Sequence, residues 1–245
     1  MRHVLEVGET VDPGGGPETP PAMPHAVVAW STDGEGALQE LVATCLDALA
    51  SPGNRGAGTA TVHRSCPRCG ADDHGRPYLC SDGAELGVGI SISRCHGALA
   101  VVISHGAAVG IDLEHPDRTR FEGFADVALH VDERATSARE RAVTWARKEA
   151  YLKALGVGLD VDPRSVRFTD ARSAPRVLLG VPGAEDVHLV DLGLVPPGLV
   201  GCVAVAAGTT PHLTVVPAGP EARPRGARQR TGRRRRPRNG LRRTT

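Results

Sequence analysis

The sequence predicts an α+β protein made of two similar halves. The order of its local patterns carries this reading. Strand, helix and strands follow one another, and then strand, helix and strands follow again, with the changeover near residues 105–110. Two stretches, residues 36–50 and 138–155, read as helices, and the other apolar runs are short enough to be strands. No clear sequence repeat accompanies this order. Aromatic residues make up only 3% of the 245 residues, so a core must rest on Val, Leu, Ala and Ile.

Residues 1–24 are rich in Gly, Pro and Glu and read as a flexible leader. They lack the apolar centre of a signal peptide. The N-terminal half, 25–108, opens on the apolar run Ala26-Val27-Val28-Ala29-Trp30, a strand. Over 36–50, Leu38, Leu41, Val42, Cys45, Leu46 and Leu49 form one helical stripe, which Pro52-Gly53 ends. Residues 59–63 read as a strand, 64–87 as a loop rich in Cys, Gly and Pro, and 88–93 and 98–104 as strands. The C-terminal half, 109–216, opens with a strand at 109–114. A charged, irregular stretch at 115–133 follows. Thr136 or Ser137 caps the helix over 138–155 and Gly156 stops it. Short β-like runs come at 166–168, 176–179, 187–192 and 199–206. From Pro217 an Arg- and Pro-rich tail, 217–245, cannot bury a core and is expected to be disordered.

The net charge of +1 hides an asymmetry. Residues 221–245 hold eleven Arg and one Glu, which leaves the rest of the chain acidic at about −9. No run of roughly 18 apolar residues predicts a membrane span, and a cytoplasmic location is the expectation. Six cysteines in a chain of this length without a signal peptide favour reduced thiols or a metal site over disulfides.

The lysines are the sharpest pointer to chemistry. Lys148 and Lys153 are the only two, against 27 arginines, and they bracket Glu149 on one helix. That placement points to a need for a compact ammonium. Trp145, Glu149 and Lys153 share a helical face at i, i+4 and i+8. Upstream, Asp112 and Glu114 stand two apart on a strand, so their carboxylates project from the same face, roughly 6–7 Å apart along the backbone. Such a pair can converge on magnesium. Taken singly, Asp-x-Glu reads as a solvated strand end and Glu149–Lys153 as an ordinary surface pair.

Their order and separation resemble the 4′-phosphopantetheinyl transferase superfamily. Its signatures are a Gly-x-Asp-x-Glu strand and a Trp-x-x-Lys-Glu-x-x-x-Lys helix. Here they read Gly110-Ile111-Asp112-Leu113-Glu114 and Trp145-Ala146-Arg147-Lys148-Glu149-Ala150-Tyr151-Leu152-Lys153. Ala154 to Leu159 looks like the family's loop after the helix. His74-Gly75-Arg76-Pro77 resembles its Gly-Lys/Arg-Pro loop, and Ser91-Ile92-Ser93-Arg94 its Ser-x-Ser-His segment. The body, about 25–215, is similar to the surfactin-synthetase-type, pseudo-dimeric branch. That likeness implies a monomer whose two halves are related by a pseudo-twofold axis, with the active site at their interface.

The resemblance further implies that the phosphopantetheine arm of coenzyme A passes to a serine of an apo acyl or peptidyl carrier protein, with magnesium. Carriers of fatty acid, polyketide and nonribosomal peptide synthesis all qualify. Asp112, Glu114 and Glu149 are the implied metal ligands. Glu149 is also the implied base and Lys153 the diphosphate contact. Arg64, Arg76, Pro77, Ser93 and Arg94 would hold coenzyme A. Arg94 stands where many members carry His. It can hold a phosphate but cannot accept a proton near neutral pH. His96 and His105 do not match the motif position. Two other classes compete: a coenzyme A binder without transferase activity, and a nucleic-acid-binding module.

The nucleic-acid reading rests on two features. Cys66-Pro67-Arg68-Cys69-Gly70 is half of a zinc knuckle, to which His74, Cys80, Cys95 or His96 could add ligands. No second Cys-x-x-Cys or His-x-x-x-His pair accompanies it, which favours a tight turn over a structural zinc at Cys66 and Cys69. The tail around Arg233 to Arg236 could bind nucleic acid or attract an acidic carrier protein. A dispensable extension is the simpler reading. Nucleic acid leaves the acidic body and the ordered Asp112, Glu114, Glu149 and Lys153 set unexplained, and is not expected as a partner.

Overall fold

A computed structural model describes residues 23–50, 59–184 and 186–217. Nearly all of the expected leader and tail lie outside the described residues. The protein is mixed α+β, with two sheets face to face and a helix on each outer surface.

The first sheet contains β1 (His25–Ser31), β5 (Gly89–Cys95), β6 (Ala98–His105) and β12 (His212–Pro217), in the order β12-β1-β6-β5. Its central strands are apolar on both faces because both faces are covered. Val27 and Ala29 of β1, with Leu99, Val101 and Ile103 of β6, pack under α1 (Leu38–Leu49). Ala26 and Val28, with Ala100 and Val102, face the second sheet. Helix α1 buries the stripe expected of it: Leu41, Val42, Cys45, Leu46 and Leu49. Each such aliphatic side chain, once fully buried, contributes about 1.5–3 kcal/mol. The helix is shorter than the expected 36–50 because residues 34–37 wind as a 3₁₀ turn.

The second sheet has the order β10-β11-β7, with β7 (Ala108–Glu114), β10 (Val187–Asp191) and β11 (Val200–Ala206). Val109, Ile111 and Leu113 of β7 and Val203 and Val205 of β11 face the first sheet. Val200, Cys202 and Ala204 face α3 (Ala138–Leu155). In either sheet the strand before the helix pairs with the last strand of the hairpin that follows: β1 with β6, β7 with β11, both antiparallel. Strand β12 then returns to lie parallel to β1, Val28 opposite Val215.

Helix α3 has the bounds its signals predicted. The Ser137 hydroxyl accepts from the Glu140 N–H at 3.2 Å, and the Glu140 carboxylate accepts from the Ser137 N–H at 3.0 Å. This reciprocal cap satisfies two otherwise unpaired N–H groups. Gly156 closes the helix at φ 71°, a left-handed turn that suits glycine.

Three segments differ from expectation. The loop expected over 64–87 contains β3 (Arg76–Ser81) and β4 (Ala84–Glu85), which form a small sheet with β2 (Thr61–Ser65). Only Leu79 of β3 is buried, so the strand leaves no alternating pattern in the sequence. The irregular stretch 115–133 contains α2 (Phe124–Ala128), too short to show a helical period. Strand β12 precedes the tail and is only partly buried. Among the described residues no helix is long and apolar enough to cross a membrane.

Candidate active site

Gly110, Asp112 and Glu114 occupy the face of β7 that α3 covers. At Gly110 the helix backbone meets the strand directly. A Cβ there would collide with the carbonyl oxygen of Ala150 and stand 2.6 Å from the Ala154 nitrogen. Helix α3 permits this approach through Ala142, Ala146, Ala150 and Ala154, four buried small residues at four-residue spacing. Gly110→Ala should therefore push α3 off β7 and lower stability by about 1–3 kcal/mol. Urea unfolding checks this, and a wild-type midpoint would refute the close-packing account.

The approach brings Lys153 and Glu149 to the acidic strand. The Lys153 ammonium lies 2.6 Å from Asp112 Oδ1 and donates to the Ile111 carbonyl at 3.2 Å. Glu149 Oε2 is 3.9 Å from the same ammonium. Ser93 of β5 donates to Asp112 Oδ1 at 3.0 Å, while its oxygen accepts from the Leu113 N–H at 2.9 Å. Ser91 accepts from the Ile111 N–H at 3.2 Å. The two serines thus tie β5 of one sheet to β7 of the other. Glu114 accepts from the His115 N–H at 2.8 Å and faces Arg118 at 3.6 Å.

Asp112 and Glu114 are 7% and 6% exposed, so the expectation that they form a pair on one face meets a buried setting rather than a solvated strand end. Burial raises the pKa of Asp112, against the opposing pull of Lys153 and the Ser93 hydrogen bond. Burial also raises that of Glu149, and the Asp112 and Glu114 charges add to it while Lys153 opposes. Asp112 and Glu149 share the Lys153 ammonium, and the Glu114 charge acts on both carboxylates, so the three are an oxygen donor set that suits a hard divalent cation. Among the described residues, however, the group of three whose ligand atoms all lie within 4.8 Å of one another is Cys66, Cys69 and His74.

Beside Lys153 opens a cleft of about 990 Å³ between β3, β5 and the turn after α3. Arg64, Arg76 and Pro77 line it, and so does Lys153 itself. Arg76 reaches across to the C-terminal turn of α3, where a Cβ on Gly156 would lie 3.2 Å from its guanidinium. Arg64 donates to the Gly75 carbonyl at 3.1 Å. Ser93 and Arg94 are not among the residues lining this cleft. Ser93 holds Asp112 instead. Arg94 is ion-paired with Glu35 and borders a separate hollow of about 350 Å³ with Arg64 and Tyr78.

Two charged residues of the helix have roles that the sequence reading missed. Lys148 does not join the acidic cluster. It is fully buried, 2.7 Å from Glu133, and donates to the carbonyls of Pro163 and Val166 at 2.7 and 2.9 Å. Arg147 is equally buried and spends its donors on Asp191 and on the carbonyls of Thr169, Asp170 and Ser173. Both lock surrounding segments onto α3. The strongest available signal was their position: an α3 face carrying Lys153 and Glu149 leaves 147 and 148 pointing elsewhere on the helix.

Residues 108–191, which contain β7 and α3, match the family model of the 4′-phosphopantetheinyl transferase superfamily. The 4′-phosphopantetheinyl transferase pptA of Paxillus involutus is a distant relative, 26% identical over 39% of this chain and 46% of that protein. The match thus spans less than half of the relative's length. The cleft residues Arg64, Arg76 and Pro77 lie outside the segment that matches the family model.

Proposed function

We propose that this protein transfers the 4′-phosphopantetheine arm of coenzyme A to a serine of an apo acyl or peptidyl carrier protein, releasing adenosine 3′,5′-bisphosphate. The observation that carries the reading is the double position of Lys153. Its ammonium neutralises Asp112 in the carboxylate cluster and also lines the cleft that Arg64, Arg76 and Pro77 border. The cluster and a cleft able to hold a nucleotide thus meet at one cation. The surfactin-synthetase-type, pseudo-twofold arrangement belongs to the same proposal. It draws support from the equivalent strand pairing of the two sheets and from the cluster's place where β5 meets β7.

Asp112, Glu114 and Glu149 would hold magnesium, which when bound supplies charge neutralisation to the diphosphate. The chain's own groups do the rest. Arg64 and Arg76 bind the phosphates of the nucleotide end, and Pro77 offers the adenine an apolar surface. Lys153 meets the diphosphate as a compact charge. Glu149 takes the proton of the attacking serine. Its raised pKa strengthens it as a base compared with an ordinary carboxylate. The serine oxygen then bonds to the β-phosphorus as the bond to the bridging oxygen breaks, and adenosine 3′,5′-bisphosphate leaves. Arg94 pairs with Glu35 through Nε and Nη2, which leaves Nη1 to donate to a phosphate.

Intact mass of an apo carrier protein tests the proposal. Incubation with this protein, coenzyme A and magnesium should add about 340 Da, one phosphopantetheine arm, and a chelator should abolish the gain. No gain on acyl or peptidyl carriers, with coenzyme A still bound, would leave a binder without transferase activity.

A further inference from the structure

The loop between β2 and β3 carries a second cluster of ligand groups. Cys66, Cys69 and His74 bring Sγ, Sγ and a ring nitrogen within 4.8 Å of one another. Ligands bound at 2.0–2.3 Å to a tetrahedral ion stand roughly 3.5–3.8 Å apart, and Cys69 Sγ lies 3.3 Å from His74 Nε2. Of the further cysteines and histidine that the sequence offered, Cys80, Cys95 and His96, none joins this group.

Three features show that the loop is shaped around these ligands. The Cys66 N–H donates to the Ala71 carbonyl and the Gly70 N–H to the Cys66 carbonyl, both at 2.9 Å, so the Cys-x-x-Cys-Gly turn closes on itself. Gly70 takes φ 73°, a left-handed conformation that glycine adopts freely, where the turn closes. The ring nitrogen of His74 turned away from the sulfurs, Nδ1, is 2.6 Å from Asp73 Oδ1. A carboxylate behind a histidine is the usual outer support of a metal-bound imidazole, since it fixes the tautomer and orients the ring.

We propose that Cys66, Cys69 and His74 bind one zinc ion, with Asp73 as the outer partner of His74. Two thiolates and an imidazole are a soft, tetrahedral donor set that suits zinc. Cys69 and His74 are exposed, so water completes the fourth position. The ion clamps the loop that leads into Arg76 and Pro77. Arg68, inside the knuckle, is ion-paired at 2.7 Å with Asp160 beyond α3, which places the clamp across the mouth of the cleft. The site is separate from the carboxylate cluster and holds none of the reacting groups.

Metal analysis after zinc loading and gel filtration of the full chain is the test. The expected result is about one zinc per chain, lost in Cys69→Ser and kept in Cys80→Ser. Asp73→Ala should weaken zinc affinity about 10–100-fold in a dye competition. Cobalt in place of zinc should give tetrahedral visible bands in wild type and Cys80→Ser but not in Cys69→Ser. If Cys69→Ser fails to fold, His74→Ala, altered at an exposed side chain, gives the same reading. Little zinc in folded wild-type protein, or equal zinc in wild type and His74→Ala, would overturn the proposal. The mass assay reads carrier modification separately, so failure of the zinc site and failure of the transferase reading stay distinguishable.

Discussion

If the protein has the proposed activity, Asp112→Asn is expected to slow phosphopantetheine transfer on the order of 10³-fold, the several kcal/mol that a positioned metal contributes to a charged transition state. The substitution keeps the shape and the Ser93 hydrogen bond. It removes the charge that pairs with Lys153 and that would hold magnesium. It also takes a negative neighbour from Glu149, whose pKa should fall, leaving a weaker base. Both changes act in the same direction. Stability should behave differently. Burial holds the Asp112 pKa above its ordinary value of 3.8, so folding disfavours the ionised form. A neutral Asn relieves that cost near neutral pH. The relief should fade as pH falls below the ordinary value, where the wild-type carboxyl is protonated in both states. Single-turnover transfer across a magnesium titration, together with thermal unfolding at two pH values, checks both parts. A near-normal rate with an unshifted magnesium requirement would sink the metal assignment.

The parts of this fold that the sequence revealed are those governed by local rules. Helix α3 was legible at both ends because Ser137, Glu140 and Gly156 satisfy a cap and a stop within a few residues. Strand β7 was legible because Asp112 and Glu114 alternate with Val109, Ile111 and Leu113. What escaped depends on partners far along the chain. The role of Gly110 requires the backbone of α3, and the four alanines that admit it read as ordinary helix formers until the strand is in place. The resemblance of Ser91 to Arg94 to the family segment implied a cofactor contact for Ser93, and its bond to Asp112, across a gap between sheets, is one the sequence does not show. The cysteine turn differs, since its partner is close in sequence: of the candidate ligands His74, Cys80, Cys95 and His96, the fold brings His74 onto it.

Lys148→Met is expected to cost about 3–5 kcal/mol of stability, the penalty for removing one member of a buried ion pair. The ammonium connects three segments. Glu133 brings in the 130–133 loop, and its carboxylate also accepts from the N–H groups of His130 and Phe168. The Pro163 and Val166 carbonyls bring in the turn leading to β8 (Arg167–Phe168). Methionine fills nearly the same space but leaves those acceptors unpaired and the Glu133 charge uncompensated. Adding Glu133→Gln should recover part of the loss, with a coupling of about 1–3 kcal/mol between the two sites. Urea unfolding of both single variants and the double variant measures it. The sequence alone suggested that both lysines serve chemistry, and this experiment separates the two roles. A structural Lys148 predicts lower stability, with transfer retained by whatever fraction stays folded. Unchanged stability with abolished transfer would instead return Lys148 to the reacting groups, and would mean that the buried pair with Glu133 opens when substrate binds.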